Sequence, residues 1–263
     1  MSPTPELRSQ REGQERVAGT VLRFLRSRVK LDAMIAEGAG MGGIAFAEID
    51  SFVEQQLFEL KEECHWLYRV REGPDQMQAS TAVLFDILVG SLFHQMMKVK
   101  ENAYQVERYA PKYAALRKTL QAPDAPKQVA TFLKEGERII ARSRRMLQQE
   151  FAYAAELFSE ATIVLRHVVV ENHDNPILIR ALVENDKLLD AVYGPRSLDK
   201  LLNEMHDGHA ATGYLLAANS LFEGGWFNRA RDLCKRARKL DPKNRQAALL
   251  LTKVNAAANA HLS

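Results

Sequence analysis

Helical periodicity runs through almost the whole of this 263-residue chain, and an all-α protein is the expectation. Apolar residues recur at intervals of three and four in segment after segment. Glycine and proline are sparse, at 14 and 9 residues, so long stretches run without a breaker. No segment combines strict alternation, β-branched enrichment and hairpin turns. Residues 161–170 have local strand propensity but lie inside a helical run. The architecture expected is a bundle of long helices followed by a helical hairpin with a capping helix.

Residues 15–36 place Val17, Val21, Leu22, Phe24, Leu25, Val29 and Leu31 on one stripe, ringed by Arg16, Arg23, Arg26 and Arg28. The glycines Gly38, Gly40, Gly42 and Gly43 end that helix. A second helix covers about 44–71. Ser51 and Glu54 have capping-box spacing there, marking its start or a kink. Val53, Leu57, Leu60, Cys64 and Leu67 alternate steps of four and three, the seam of a packed bundle helix. Gly73-Pro74-Asp75 is a turn. A third helix runs from Gln76 to Tyr109, with an extension past Pro111 to Leu120 left open. Residues 121–127 read as a linker. From 128 to 172 there is no proline and only Gly136, giving one very long helix or two broken near Gly136 or Gln149.

Asn175 before Pro176 signals a helix start, an N-cap with proline at the first position, and that helix runs to about Val192. Gly194-Pro195 breaks it, and Ser197 caps a short helix ending near Asp207-Gly208. Three blocks follow: an N-terminal bundle over 1–120, long helices over 127–207 and a hairpin module over 208–263.

The formal charge of +3 hides a division. Residues 1–30 hold seven Lys/Arg against three Asp/Glu, residues 226–245 hold eight against two, and 31–225 carry a net −8. The basic stretches are solvated or docked faces, or they attract an acidic partner. Two cysteines, Cys64 and Cys234, lie outside any Cys-x-x-Cys pattern and suit a reducing cytoplasm. The first residues carry Glu6 and Glu12 with no apolar run behind them, so no secretory signal is expected. The most apolar stretch, 81–97, is short of the ~20 residues of a bilayer span and carries Asp86 and His94. It reads as a core helix, and no membrane span is expected.

Residues 211–244 read as a helix–turn–helix. Ala230, Cys234, Ala237, Leu240 and Pro242 follow Gly224-Gly225-Trp226-Phe227-Asn228-Arg229 at fixed intervals. Small Ala230 and Ala237 let two antiparallel helices approach, Cys234 and Leu240 fill the groove between them, and Pro242 stops the helix. This segment resembles one tetratricopeptide repeat, a unit of ~34 residues. Tyr214 and Ala218 match its aromatic and small positions, and Leu221 replaces the usual tyrosine. Residues 244–261 would then be the helix covering the repeat's exposed face. No second copy is legible, since aligning Pro176 or Pro195 on the terminal proline puts Glu171 or Asp190 where alanine belongs. The resemblance implies an adaptor that binds peptides or proteins. Family members that clamp a C-terminal carboxylate use basic and asparagine side chains. Asn219 falls at one such position, while Thr212, Leu215 and Leu216 depart from that pattern.

Other patterns carry weaker chemistry. Glu62-x-x-His65 is the i, i+3 pair of carboxylate-bridged di-iron bundles, but no second such pair exists. His206-Asp-Gly-His209 and the group His167, Glu171, His173 lack further ligands at known spacing. The glycines at 38–43 follow a helix rather than a strand and have no close lysine, so they read as an interhelical connection. No Gly-x-Ser-x-Gly occurs. The run Arg229, Arg231, Lys235, Arg236, Arg238, Lys239, Lys243, Arg245 would attract nucleic acid, without any recognised nucleic-acid module beside it.

The expectation is a non-catalytic, cytoplasmic adaptor or scaffold that binds another protein and self-associates through its long helices. No catalytic residue, metal or cofactor is expected. The expected contact residues are Tyr214, Asn219, Trp226, Arg229, Lys235 and Arg236, with Trp226 either core or interface. The alternatives are a metal-binding bundle enzyme on Glu62 and His65, and a nucleic-acid-associated protein using the basic helix.

Overall fold

The computed structural model describes residues 5–38, 45–67, 76–120 and 127–260. They are all-α, with no strand among the described residues. In order they form α1 (Pro5–Gly38), α2 (Phe46–Ser51), a π-helical segment (Phe52–Leu57), α3 (Phe58–Leu67), α4 (Gln76–Leu120) and α5 (Lys127–Glu171). Then come α6 (Pro176–Glu184), α7 (Asp186–Tyr193), α8 (Ser197–Met205), α9 (Ala210–Glu223), α10 (Phe227–Leu240) and α11 (Arg245–Ala260). Two compact units result. One comprises 1–29, 63–84 and 163–263, and the other 30–62 and 85–162. These units cut across the three sequential blocks, because α1, α3, α4 and α5 each give residues to both.

In the second unit, α4 buries Phe85, Val89, Leu92, Met96, Val99 and Ala103, one row at steps of three and four. By length and composition this helix could cross a membrane. That buried row is the pattern of a core helix. Lys100 binds Asp50 at 2.6 Å and Glu54 at 2.5 Å, and these carboxylates hold its ammonium above the usual pKa. The Phe46 N–H donates to the Glu107 carboxylate at 2.9 Å. α4 continues through Pro111 to Leu120, which settles its length.

Several local expectations differ from the structure. Ser51 and Glu54 mark no helix start: Ser51 Oγ donates to Gln55, and the backbone widens into π turns over Phe52–Leu57. Those turns re-phase the helix so that Ile49, Phe52, Val53, Leu57 and Leu60 are all buried. α5, by contrast, takes the first of its two expected forms, one very long helix continuous through Gly136 and Gln149. Gly136 serves close approach instead, because the Tyr113 ring of α4 fills the space a Cβ there would need. Gly40, Gly42, Gly43, the turn at Gly73-Pro74-Asp75 and residues 121–126 lie outside the described residues.

In the first unit, Asn175 caps α6, accepting from the N–H groups of Ile177 and Leu178 at 3.1 and 3.0 Å. Its amide donates to the Gln14 carbonyl, tying α6 to α1. The helix expected to reach Val192 breaks at Asn185, whose side chain donates to Ala181 O. Ser197 is the first residue of α8 rather than its cap. Its N–H is taken by Asp190 of α7 at 3.0 Å, and Arg196 before it is left-handed. α6 and α8 both pack on α9, α9 packs on α10, and α10 on α11.

α8 comes close to α9 at Gly213. A Cβ on Gly213 would stand 2.6 Å from Leu202 Cδ2 and 3.2 Å from the His206 ring. The His206 ring meets that of His173 edge to face at 6.4 Å, and its Nε2 is buried with no partner. Burial, then repulsion from His173, lowers the His206 pKa below the ordinary 6.5, with Asp207 opposing.

Two outcomes follow from this junction. Gly213→Val is expected to destabilise the fold by about 1–3 kcal/mol through overpacking, read from the denaturation midpoint. Gly213→Ala should lose less, since alanine gains about 1 kcal/mol of helix propensity over glycine. The neutral imidazole is the favoured form in the folded state, so its contribution is complete above pH 6.5 and fades as pH drops below that value. The denaturation midpoint should fall between pH 7 and pH 5, less steeply in His206→Gln.

Candidate functional site

The α9–α10 hairpin is built from small side chains. On α10, Ala230, Cys234 and Ala237 are fully buried, and on α9 so are Ala217 and Ala218. Burial raises the Cys234 thiol pKa to about 11, which keeps it protonated and unreactive. Leu240, expected to fill the same seam, is instead half exposed at the end of α10. Gly225 turns the chain between the helices with φ 79°, a conformation glycine adopts without strain, and the Trp226 N–H returns to the Leu221 carbonyl at 2.8 Å. Leu221, Ala230 and Val254 form the core joining α9, α10 and α11, with Phe222, Phe227, Leu233 and Leu250 packed against it. Asn244 caps α11 by accepting from the Ala247 N–H at 3.0 Å.

On the face of α9 turned toward α11 lies an open groove of about 350 Å³. Four residues of α9 line it (Thr212, Leu215, Leu216, Asn219), and so do four of α11 (Gln246, Leu249, Leu250, Lys253). Each α9 position stands 34 residues before its α11 counterpart: 212 and 246, 215 and 249, 216 and 250, 219 and 253. Four leucines make the wall apolar and Lys253 supplies its one cation. Leu249 is 64 % exposed at the rim.

The six residues expected at one contact surface are dispersed. Asn219 lines the groove, with its amide on Glu223 at 2.7 Å. Tyr214 is fully buried and is not among the residues that line the groove. Its hydroxyl donates to Asp199 at 2.5 Å and Arg236 covers its ring at 4.7 Å. Burial first, then the Asp199 carboxylate, raise the Tyr214 pKa far above 10. Arg236 also binds Asp199 at 3.1 Å and so is tied to α8.

Trp226 and Arg229 line a second hollow with Gly225, Phe227, Asn228, Arg231 and Ala258. Trp226 is 58 % exposed, so it is a surface residue, with Arg229 stacked over its ring at 5.5 Å. Arg229 also binds Glu184 of α6 at 2.9 Å. Lys235 lies exposed on the outer side of α10.

The groove residues on α11 escaped the sequence reading because α11 looks like a cover, not a wall. The signal was available by adding 34 to positions 212, 215, 216 and 219. Elsewhere, Glu62 and His65 are both exposed, and no group of three or more His, Cys, Asp or Glu among the described residues could hold a metal ion.

The split between Tyr214 and Trp226 is measurable as stability. Tyr214→Ala should cost about 3–5 kcal/mol by emptying a core position, whereas Trp226→Ala should change stability by under about 1 kcal/mol. Urea denaturation of both variants reads the difference. Compared as a whole with protein families, curated proteins and solved structures, this chain finds no match in any of the three.

Proposed function

We propose that this chain is a non-catalytic adaptor whose α9–α11 segment works as a tetratricopeptide-like module, seating a helix or extended segment of another protein in its groove. The observation that carries the reading is the pair of four-residue rows 34 positions apart on one concave surface. That interval is the length of one tetratricopeptide unit (~34 residues), and stacked units of this kind present equivalent positions side by side. Leu215, Leu216, Leu249 and Leu250 would take the apolar side of the ligand. Thr212, Asn219, Gln246 and Lys253 would fix its direction, with Lys253 favouring an acidic group at its end of the groove. The outer side of α10 adds exposed Lys235, Arg238 and Lys239, which would speed encounter with an acidic partner. The buried, protonated Cys234 and the absence of Cys-x-x-Cys pairs fit work in a reducing cytoplasm.

Removing everything after Asp207 would be a poor test, because α6 and α8 pack on α9 and would be left bare. Point changes in the groove avoid this. The full chain and its Leu249→Glu and Lys253→Glu variants would be used for affinity capture from the native host with quantitative mass spectrometry. A partner held by the native chain should be depleted at least about tenfold by Leu249→Glu, roughly 1.4 kcal/mol, and Lys253→Glu should deplete it as well. Capture unaffected by both groove changes would refute the groove as the site.

A further inference from the structure

A second surface stands out in the other unit. No residue described between 104 and 150 is buried, as expected for two helices that touch along one side, with Phe46 of α2 reaching only Tyr104 and Glu107 at the start of this stretch. The Tyr113 hydroxyl donates to the Leu133 carbonyl, and Arg117 binds Glu137 at 2.7 Å. Gln95 of α4 donates to the Glu150 carbonyl of α5 at 3.1 Å, so the partner falls from 150 to 133 as α4 runs from 95 to 113: the helices are antiparallel, which brings Tyr109 near the level of Ile139 and Leu116 near that of Phe132.

On α5, Phe132, Ile139, Met146 and Tyr153 stand exposed, each seven positions after the last and all more than two-fifths exposed, while Ile163 is exposed farther along and off that interval. On α4, Tyr109 and Leu116 repeat the interval. Seven residues is close to two helical turns, so each set forms a straight row. Ile139 and Tyr109 each precede a half-buried residue, Ile140 and Ala110, at the line where the helices meet. Equal offsets on antiparallel helices bring both rows to the same side of the hairpin.

Cations border this strip. Arg142 and Arg145 flank the α5 row, while Arg108 and Lys112 flank the α4 row, with Arg108 stacked on the Tyr104 and Tyr109 rings. Among the described residues, Lys112, Arg142 and Arg145 have no acidic partner within 4 Å. Over 104–120 and 127–150 there are ten Lys/Arg against four Glu.

We propose that this strip docks an acidic amphipathic helix of another protein, laid along α4 and α5 as the third helix of a bundle. Charge selects that occupant. A second copy would set ten cations against ten, whereas a helix with glutamates beside its apolar seam would neutralise both borders. The seven-residue interval is that of one helix packed on another, a regularity that a fluid lipid surface does not require.

The test uses the full chain and a labelled synthetic helix of about four heptads, with leucine at the seam and glutamate flanking it. A control peptide carries lysine in place of glutamate. Fluorescence anisotropy should show the glutamate peptide binding at least about tenfold more tightly than the lysine peptide, with affinity falling steeply as salt rises. Ile139→Glu should weaken it at least about tenfold, and the double variant Arg142→Glu/Arg145→Glu should reverse the preference between peptides. All three residues are exposed, so helicity by circular dichroism should stay at the native level.

Failure of the glutamate peptide to bind, or equal binding of both peptides, would overturn the proposal. So would sedimentation of the protein on phosphatidylserine vesicles that Arg142→Glu/Arg145→Glu abolishes, since that makes the strip a lipid surface. A dimer lost in Ile139→Glu would overturn it in favour of a second copy. Leu249→Glu should leave peptide binding to the α4–α5 strip unchanged, so this proposal and the groove reading fail separately.

Discussion

The buried face of α10 carries no side chain larger than a thiol, and the rest of the C-terminal architecture depends on that seam. Ala230, Cys234 and Ala237 of α10 and Ala217 and Ala218 of α9 have no exposed surface, and the two helices pack on each other. Close backbone approach leaves no room for adjustment, since well-packed interiors resist even one added methylene. α8 uses the same device on another side of α9, where Gly213 admits the Leu202 and His206 side chains. With α6, α8 and α10 around it, α9 has one remaining side. That side meets α11 only partly, and the gap between them is the groove.

The charged residues divide by the same geometry. Where α10 faces its neighbours, its cations are engaged: Arg229 with Glu184, Arg231 with Asn255, and Arg236 with Asp199. These are partly exposed pairs of modest individual value, and they orient side chains more than they stabilise the fold. Arg236 is the exception in placement, because it closes over Tyr214 and thereby joins α8 to α10 through one aromatic ring. Lys235, Arg238 and Lys239 point outward and leave the net basic character of this end to solvent.

Much of this was legible in the sequence because it depends on local spacing. The three- and four-residue steps gave the helices, and Asn175-Pro176 gave the start of α6 through a cap formed within the same turn. The intervals of Ala230, Cys234 and Ala237 gave the α10 seam. The misreadings arose where a distant group took over a local role. Asp190 rather than Ser197 holds the first N–H of α8. Ser51-x-x-Glu54 has the right letters for a cap but lies where the chain widens into π turns instead of beginning a helix.

By itself the sequence determined that the chain is all-α, where most helices lie, and that residues 211–244 fold as a close hairpin. Each of these follows from propensity and periodicity within a few turns of chain. Tertiary structure decided which face of each helix stays open. Tyr214 and Trp226 are both large aromatics beside the same hairpin, yet one is sealed beneath Arg236 and the other stands in solvent under Arg229. Leu215 and Leu249 became two walls of one groove because a hairpin placed α11 beside α9. Burial depends on which elements arrive from far along the chain, and local spacing carries no record of that arrival.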